Sequence, residues 1–144
     1  MELKPYQQTV IKDLEIFLSY LQKHQDPAKS FNAFWEDKVG EYTLNLDGSN
    51  SGMRPYKDNI DGAVHIAIKV PTAGGKTFIA CNALHTINKQ FRNGHHKAVV
   101  WLVPWSNLLQ QTVKNLSDAD HPYRQKLNSL FNGRVEVYEK EQLL

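Results

Sequence analysis

The chain has 144 residues, 41% hydrophobic and 22% charged, with a net charge of +2. That is enough for one compact domain with its own core, and the weak positive charge permits nucleic-acid binding without arguing for it. A single cysteine, Cys81, excludes an internal disulfide, and no apolar run reaches the ~18 residues of a membrane span, so a soluble cytoplasmic chain is expected.

The N-terminus, "MELKPYQQTV", lacks the basic-then-apolar layout of a signal peptide. Pro5 to Gln22 reads as a helix: Val10, Leu14, Phe17 and Leu21 recur at helical spacing, and Ile11 and Leu18 widen the stripe. Pro5 suits a first helical turn. From His24 to about Asn59 the periodicity dissolves; "FNAFWEDKV" predicts a short helical piece, and "LDGSNSGMRPYKDN" is rich in turn residues. Residues 25–60 thus read as a surface insertion or linker between a helix at 1–24 and a core at 61–144.

Order returns at "GAVHIAIKV", where Val64, Ile66, Ile68 and Val70 predict a strand. A glycine turn and a helix from about Lys76 to Phe91 follow, with Asn93-Gly94 as its stop signal. "KAVVWLVP" reads as a second strand, apolar enough to be covered on both faces. Ser106 is placed to cap the next helix, whose apolar positions are Leu109, Val113 and Leu116. "HPYRQKLNSLFNG" predicts a helix closed by Asn132-Gly133, and "RVEVY" a third strand. The alternation predicts an α/β fold in three layers with a mainly parallel sheet.

The chemistry concentrates in "KVPTAGGKT", Lys69 to Thr77. A phosphate-binding loop is a glycine, four residues, then Gly-Lys-Ser/Thr between a strand and a helix. Gly75-Lys76-Thr77 supply its end; Val70 stands where the leading glycine would be. Gly74 and Gly75 let the backbone curl with its N–H groups inward, and the following helix adds the partial positive charge of its N-terminus. Lys76 is placed to reach the β- and γ-phosphates, and the Thr77 hydroxyl is a hard oxygen ligand for Mg²⁺.

"VPTAGGKT" resembles the first motif of superfamily-two helicases and translocases, in which the leading glycine is often replaced and Pro-Thr precedes the small residues. "LKPYQQTVI" resembles their N-terminal glutamine motif, with Gln7 in the adenine-reading place. "VVWLVPWSNLLQQT" resembles the next motif, a strand ending in Leu-Val-Pro and a helix that touches the nucleic-acid backbone, with Gln111 at a common glutamine position. Within that superfamily the phrasing is closest to the restriction subunit of type III restriction enzymes. The resemblance implies a partial RecA-like P-loop NTPase domain, ATP and Mg²⁺ as cofactors, and an ATP site of Gln7, Thr72, Gly74, Gly75, Lys76 and Thr77, with Lys76 catalytic. It implies DNA as a partner, a methyltransferase (modification) subunit in the parent complex, and a parent enzyme that is both translocase and site-specific endonuclease. Trp105, Ser106 and Asn107 stand where the family often carries Thr-Arg-Glu or Thr-Lys-Glu and are the nucleic-acid contacts it would transfer.

The family's Asp-Glu-x-His motif after an apolar strand (Walker B) has no counterpart here. "DADH", Asp118 to His121, follows a polar helix end and reads as a loop and helix cap. The chain is therefore expected to stop short of the catalytic carboxylates, to bind ATP without turning it over, and to expose a sheet edge that invites a non-physiological dimer. An RNA helicase and a small P-loop phosphotransferase or nucleotide-binding module are the alternative readings. Six histidines show no metal-ligand spacing. Cys81 and Trp101 read as core, while Trp105 suits either packing or base stacking.

Overall fold

The computed structural model describes residues 1–60, 62–91 and 97–143. The first helix, α1, runs Pro5–His24, and Gln25 ends it in the left-handed region (φ +53°) with its N–H on Leu21 O. Asp26 then caps α2, Pro27–Val39, by accepting a 2.8 Å bond from Lys29 N. A two-stranded antiparallel hairpin follows, β1 Thr43–Leu44 with β2 Asn50–Ser51, turning through Asp47-Gly48. The remaining helices are α3 Lys76–Gln90, α4 Ser106–Ser117 and α5 Pro122–Phe131, with a 3₁₀ turn at Lys140–Gln142. Proline opens α1, α2 and α5, where a missing N–H costs nothing.

Two cores flank α3. Leu14, Phe17 and Leu18 of α1 bury against Phe34 of α2, with Phe31, Trp35, Ala83 and Phe91 packed around them. Phe17 meets Phe31 and Phe34 edge to face at 6.4 and 6.2 Å, the arrangement that ring quadrupoles favour. Ser30, fully buried, donates to Asp26 O and lies 3.2 Å from Tyr20 O. Across α1 and α3, Gln90 Nε2 donates to Gln22 Oε1 and Gln22 Nε2 donates to the Gln90 backbone carbonyl. On the other side of α3, Cys81 packs with Leu116 and Leu127, and Trp101, Val135 and Val137 close around them. Burial pushes the Cys81 thiol up to about 11, so it stays protonated and serves as a small apolar side chain. Arg124 ties this half together, donating to Leu116 O and Val135 O.

The predicted three-layer α/β architecture is not what forms. The described residues are mostly helical, and their sole sheet is the β1–β2 hairpin; no parallel sheet is present. The segments 63–70, 98–103 and 134–138, read as strands, are not paired by any backbone ladder. The physical reason is that an α-helix satisfies its own backbone, whereas a strand does so only through neighbours in register. Trp101, Val135 and Val137 still pack on the second core, but Val64, Ile66, Ile68, Val99, Val100 and Leu102 remain open, the last two 81% and 86% exposed. Ser106 is the first residue inside α4 and makes no side-chain cap; Trp105 occupies the cap position. Asn93-Gly94 lies outside the described residues. Among the described residues, no helix is long and apolar enough to cross a membrane.

Candidate nucleotide site at the start of α3

The extended stretch that enters the site is held from outside. Tyr56 donates its N–H to Asn32 Oδ1 of α2, and its hydroxyl accepts from His65 N and lies 3.0 Å from His65 Nδ1. Beyond Val70 the chain turns tightly: Gly74 N–H donates to Pro71 O at 3.0 Å. Ala73 (φ +59°) and Gly75 (φ +72°) both sit in the left-handed region. For alanine that conformation is uncommon and costs about 1 kcal/mol, so the surrounding bonds must hold it.

Those bonds come from α1. Gly74 O accepts from Tyr6 Oη at 2.6 Å and from Gln7 Nε2 at 3.0 Å. Gln7 is 5% exposed, and its Oε1 accepts from Lys4 N, which fixes the side chain in the first turn of α1. The glycines are required by this crowding. A Cβ on Gly74 would lie 2.6 Å from Val70 Cγ1 and 2.8 Å from Pro71 O; one on Gly75 would lie 2.6 Å from Gln7 Nε2.

Gly75 is the N-cap of α3 and offers no side-chain cap. Among the described residues, the N–H groups of Gly75, Lys76, Thr77 and Phe78 meet no protein acceptor. A run of unpartnered amides at a helix start, in the field of the helix dipole, is suited to an anion. Lys76 is exposed and bends back over the turn, its Nζ donating to Pro71 O at 2.9 Å. A carbonyl is a weak partner for an ammonium, and a phosphate oxygen is a stronger one. Thr77 is half-buried and its hydroxyl makes no hydrogen bond among the described residues, while Thr72 is exposed beside the turn.

The structure thus joins Gln7 to the Gly74–Thr77 loop across more than sixty residues of sequence. It does not join Trp105, Ser106 and Asn107 to that loop by any hydrogen bond. Trp105 is 68% exposed, Ser106 and Asn107 are exposed at the start of α4, and Asn107 Oδ1 accepts from Leu108 N. Tyr6 escaped the sequence reading; its one signal was its place directly before Gln7.

Comparison with known proteins puts the chain in a class of helicase-like, ATP-binding chains of restriction systems. The family model described as type III restriction enzyme, res subunit, matches residues 1–143, and the chain belongs to that family. The family is ATP-dependent and typically Mg²⁺-dependent, and in general it acts on DNA with a modification subunit as partner. No curated protein and no solved structure matches the chain.

Proposed function

We propose that this chain is the ATP-binding part of a cytoplasmic, ATP-dependent DNA translocase whose parent is a type III restriction endonuclease subunit, working with a methyltransferase subunit. The observation that carries this reading is the run of unpartnered amides from Gly75 to Phe78 beside the Lys76 ammonium. The amides and Lys76 receive the β- and γ-phosphates, and Lys76 exchanges Pro71 O for a phosphate oxygen. Thr72 flanks the turn at its open side. Gln7, held against the loop through Gly74 O, is the residue assigned to the adenine. Thr77 presents a free hydroxyl, the hard oxygen that Mg²⁺ prefers, so the residue present fits that ion. Thr77 would hold the ion, which would supply charge neutralisation for the phosphate tail. Trp105, Ser106 and Asn107 form an exposed group open to a nucleic-acid strand.

The test is an equilibrium titration with a fluorescent ATP analogue. Lys76→Ala removes a charge-assisted bond and is expected to weaken binding about 10- to 100-fold. Unchanged affinity in that variant would refute the reading.

A further inference from the structure

The Gly74 carbonyl takes two donors from a neighbouring element, which is unusual for a turn whose task would be merely to connect. The two bonds differ in strength and in commitment. Tyr6 Oη is the shorter donor, at 2.6 Å, and Gln7 Nε2 the longer, at 3.0 Å. Gln7 Nε2 also donates to Tyr6 Oη, at 3.3 Å, so hydroxyl, amide and carbonyl form a closed triangle. The peptide between Gly74 and Gly75 is trans, since no cis peptide occurs among the described residues. In a trans peptide the C=O and the N–H point in opposite directions. Drawing Gly74 O toward α1 therefore turns Gly75 N–H away from it, and that N–H is the first of the four without a protein acceptor.

We infer that Tyr6 is a positioning residue for phosphate recognition: its hydroxyl, through Gly74 O, fixes the direction of the Gly75 amide. This deepens the ATP-binding reading and rests on it. Tyr6 also makes the orientation independent of what Gln7 does. If Gln7 swings its second N–H onto a base, the phenol still holds Gly74 O. Tyr6 is 42% exposed, so removing the hydroxyl alone disturbs little packing.

The experiment displaces the fluorescent ATP analogue with ATP and, separately, with inorganic triphosphate, using the full chain and its Y6F, Q7L, Y6F/Q7L and K76A variants. Melting is followed without ligand. Y6F is expected to weaken ATP and triphosphate by the same factor, about three- to tenfold, with ligand-free melting unchanged. Y6F/Q7L is expected to lose more than the product of the single losses, because each donor backs up the other on one carbonyl. Four results overturn the inference: Y6F binding both ligands as the parent does; a loss for ATP without a loss for triphosphate, which would place Tyr6 on the nucleoside; simple multiplicativity in the double variant; or Y6F melting below the assay temperature, which would make the hydroxyl a folding contact. K76A separates the two levels. If K76A loses both ligands while Y6F loses neither, only the role of Tyr6 fails; if K76A loses neither, the ATP reading fails with it.

Discussion

Gly75 is under two constraints that separate cleanly. Its φ of +72° lies where side chains are strained, and a Cβ there would stand 2.6 Å from Gln7 Nε2. Gly133, after α5, has the same φ of +72° but nothing within 4 Å of its would-be Cβ. Gly133→Ala therefore carries only the backbone strain, about 1 kcal/mol. Gly75→Ala carries that and the displacement of Gln7, so about 2–3 kcal/mol is expected. Urea unfolding of the two variants side by side measures the difference, and equal losses would show that Gln7 yields freely. Because Gln7 also holds Gly74 O, Gly75→Ala should loosen the loop as well as strain it. The sequence marks Gly74 and Gly75 as a tight turn before a helix, and the structure has that turn, with Gly74 N–H on Pro71 O. That Gly75 is also crowded by Gln7 of α1 is not legible there, because the crowding atom lies more than sixty residues away in sequence.

The helices were the readable elements, for a physical reason. Each closes its own hydrogen bonds, so its limits are written locally: Pro5 and Pro122 open α1 and α5, and Asn132 in the left-handed region closes α5. Strands have no such local signature. "AVHIAI" and "AVVWLV" carry the right residues, yet their ladder depends on partners that sequence spacing does not supply. Helix α2 begins at Pro27, four residues ahead of the predicted piece, and Phe31, Phe34 and Trp35 recur along one side of it. Those aromatics make α2 part of the core under α1, not a loose covering. Phe34, 6% exposed and in contact with Phe17, Tyr20 and Trp35, is the centre of that contact. Phe34→Ala is expected to cost about 3–5 kcal/mol in denaturant unfolding. A loss below 1 kcal/mol would mean that α2 only rests on α1.

Taken as one molecule, the chain hangs on α3. Its start carries the candidate phosphate loop, and its two sides bury against α1–α2 and α4–α5, so both cores report on the loop's position. Among the described residues, no aspartate or glutamate bonds to Lys76 or Thr77, and no cluster of three His, Cys, Asp or Glu side chains assembles. The segment whose letters come nearest to the missing motif, Asp118 to His121, is occupied otherwise. Asp118 Oδ1 accepts from Asp120 N, His121 N donates to Asp118 O, and His121 Nδ1 accepts from Tyr123 N to cap α5. Cleaving a γ-phosphate needs a second group to hold the metal and a residue to orient water, beyond the cradle that binds the tail. On the proposed reading, the 144-residue chain is expected to bind ATP and to release no phosphate above the Lys76→Ala background, with or without DNA. Steady phosphate release that Lys76→Ala abolishes would show that this chain completes its own catalytic site. Loss of that release in Asp118→Asn or Asp120→Asn would then identify the carboxylate, and the turn before α5 would have to be more than a cap.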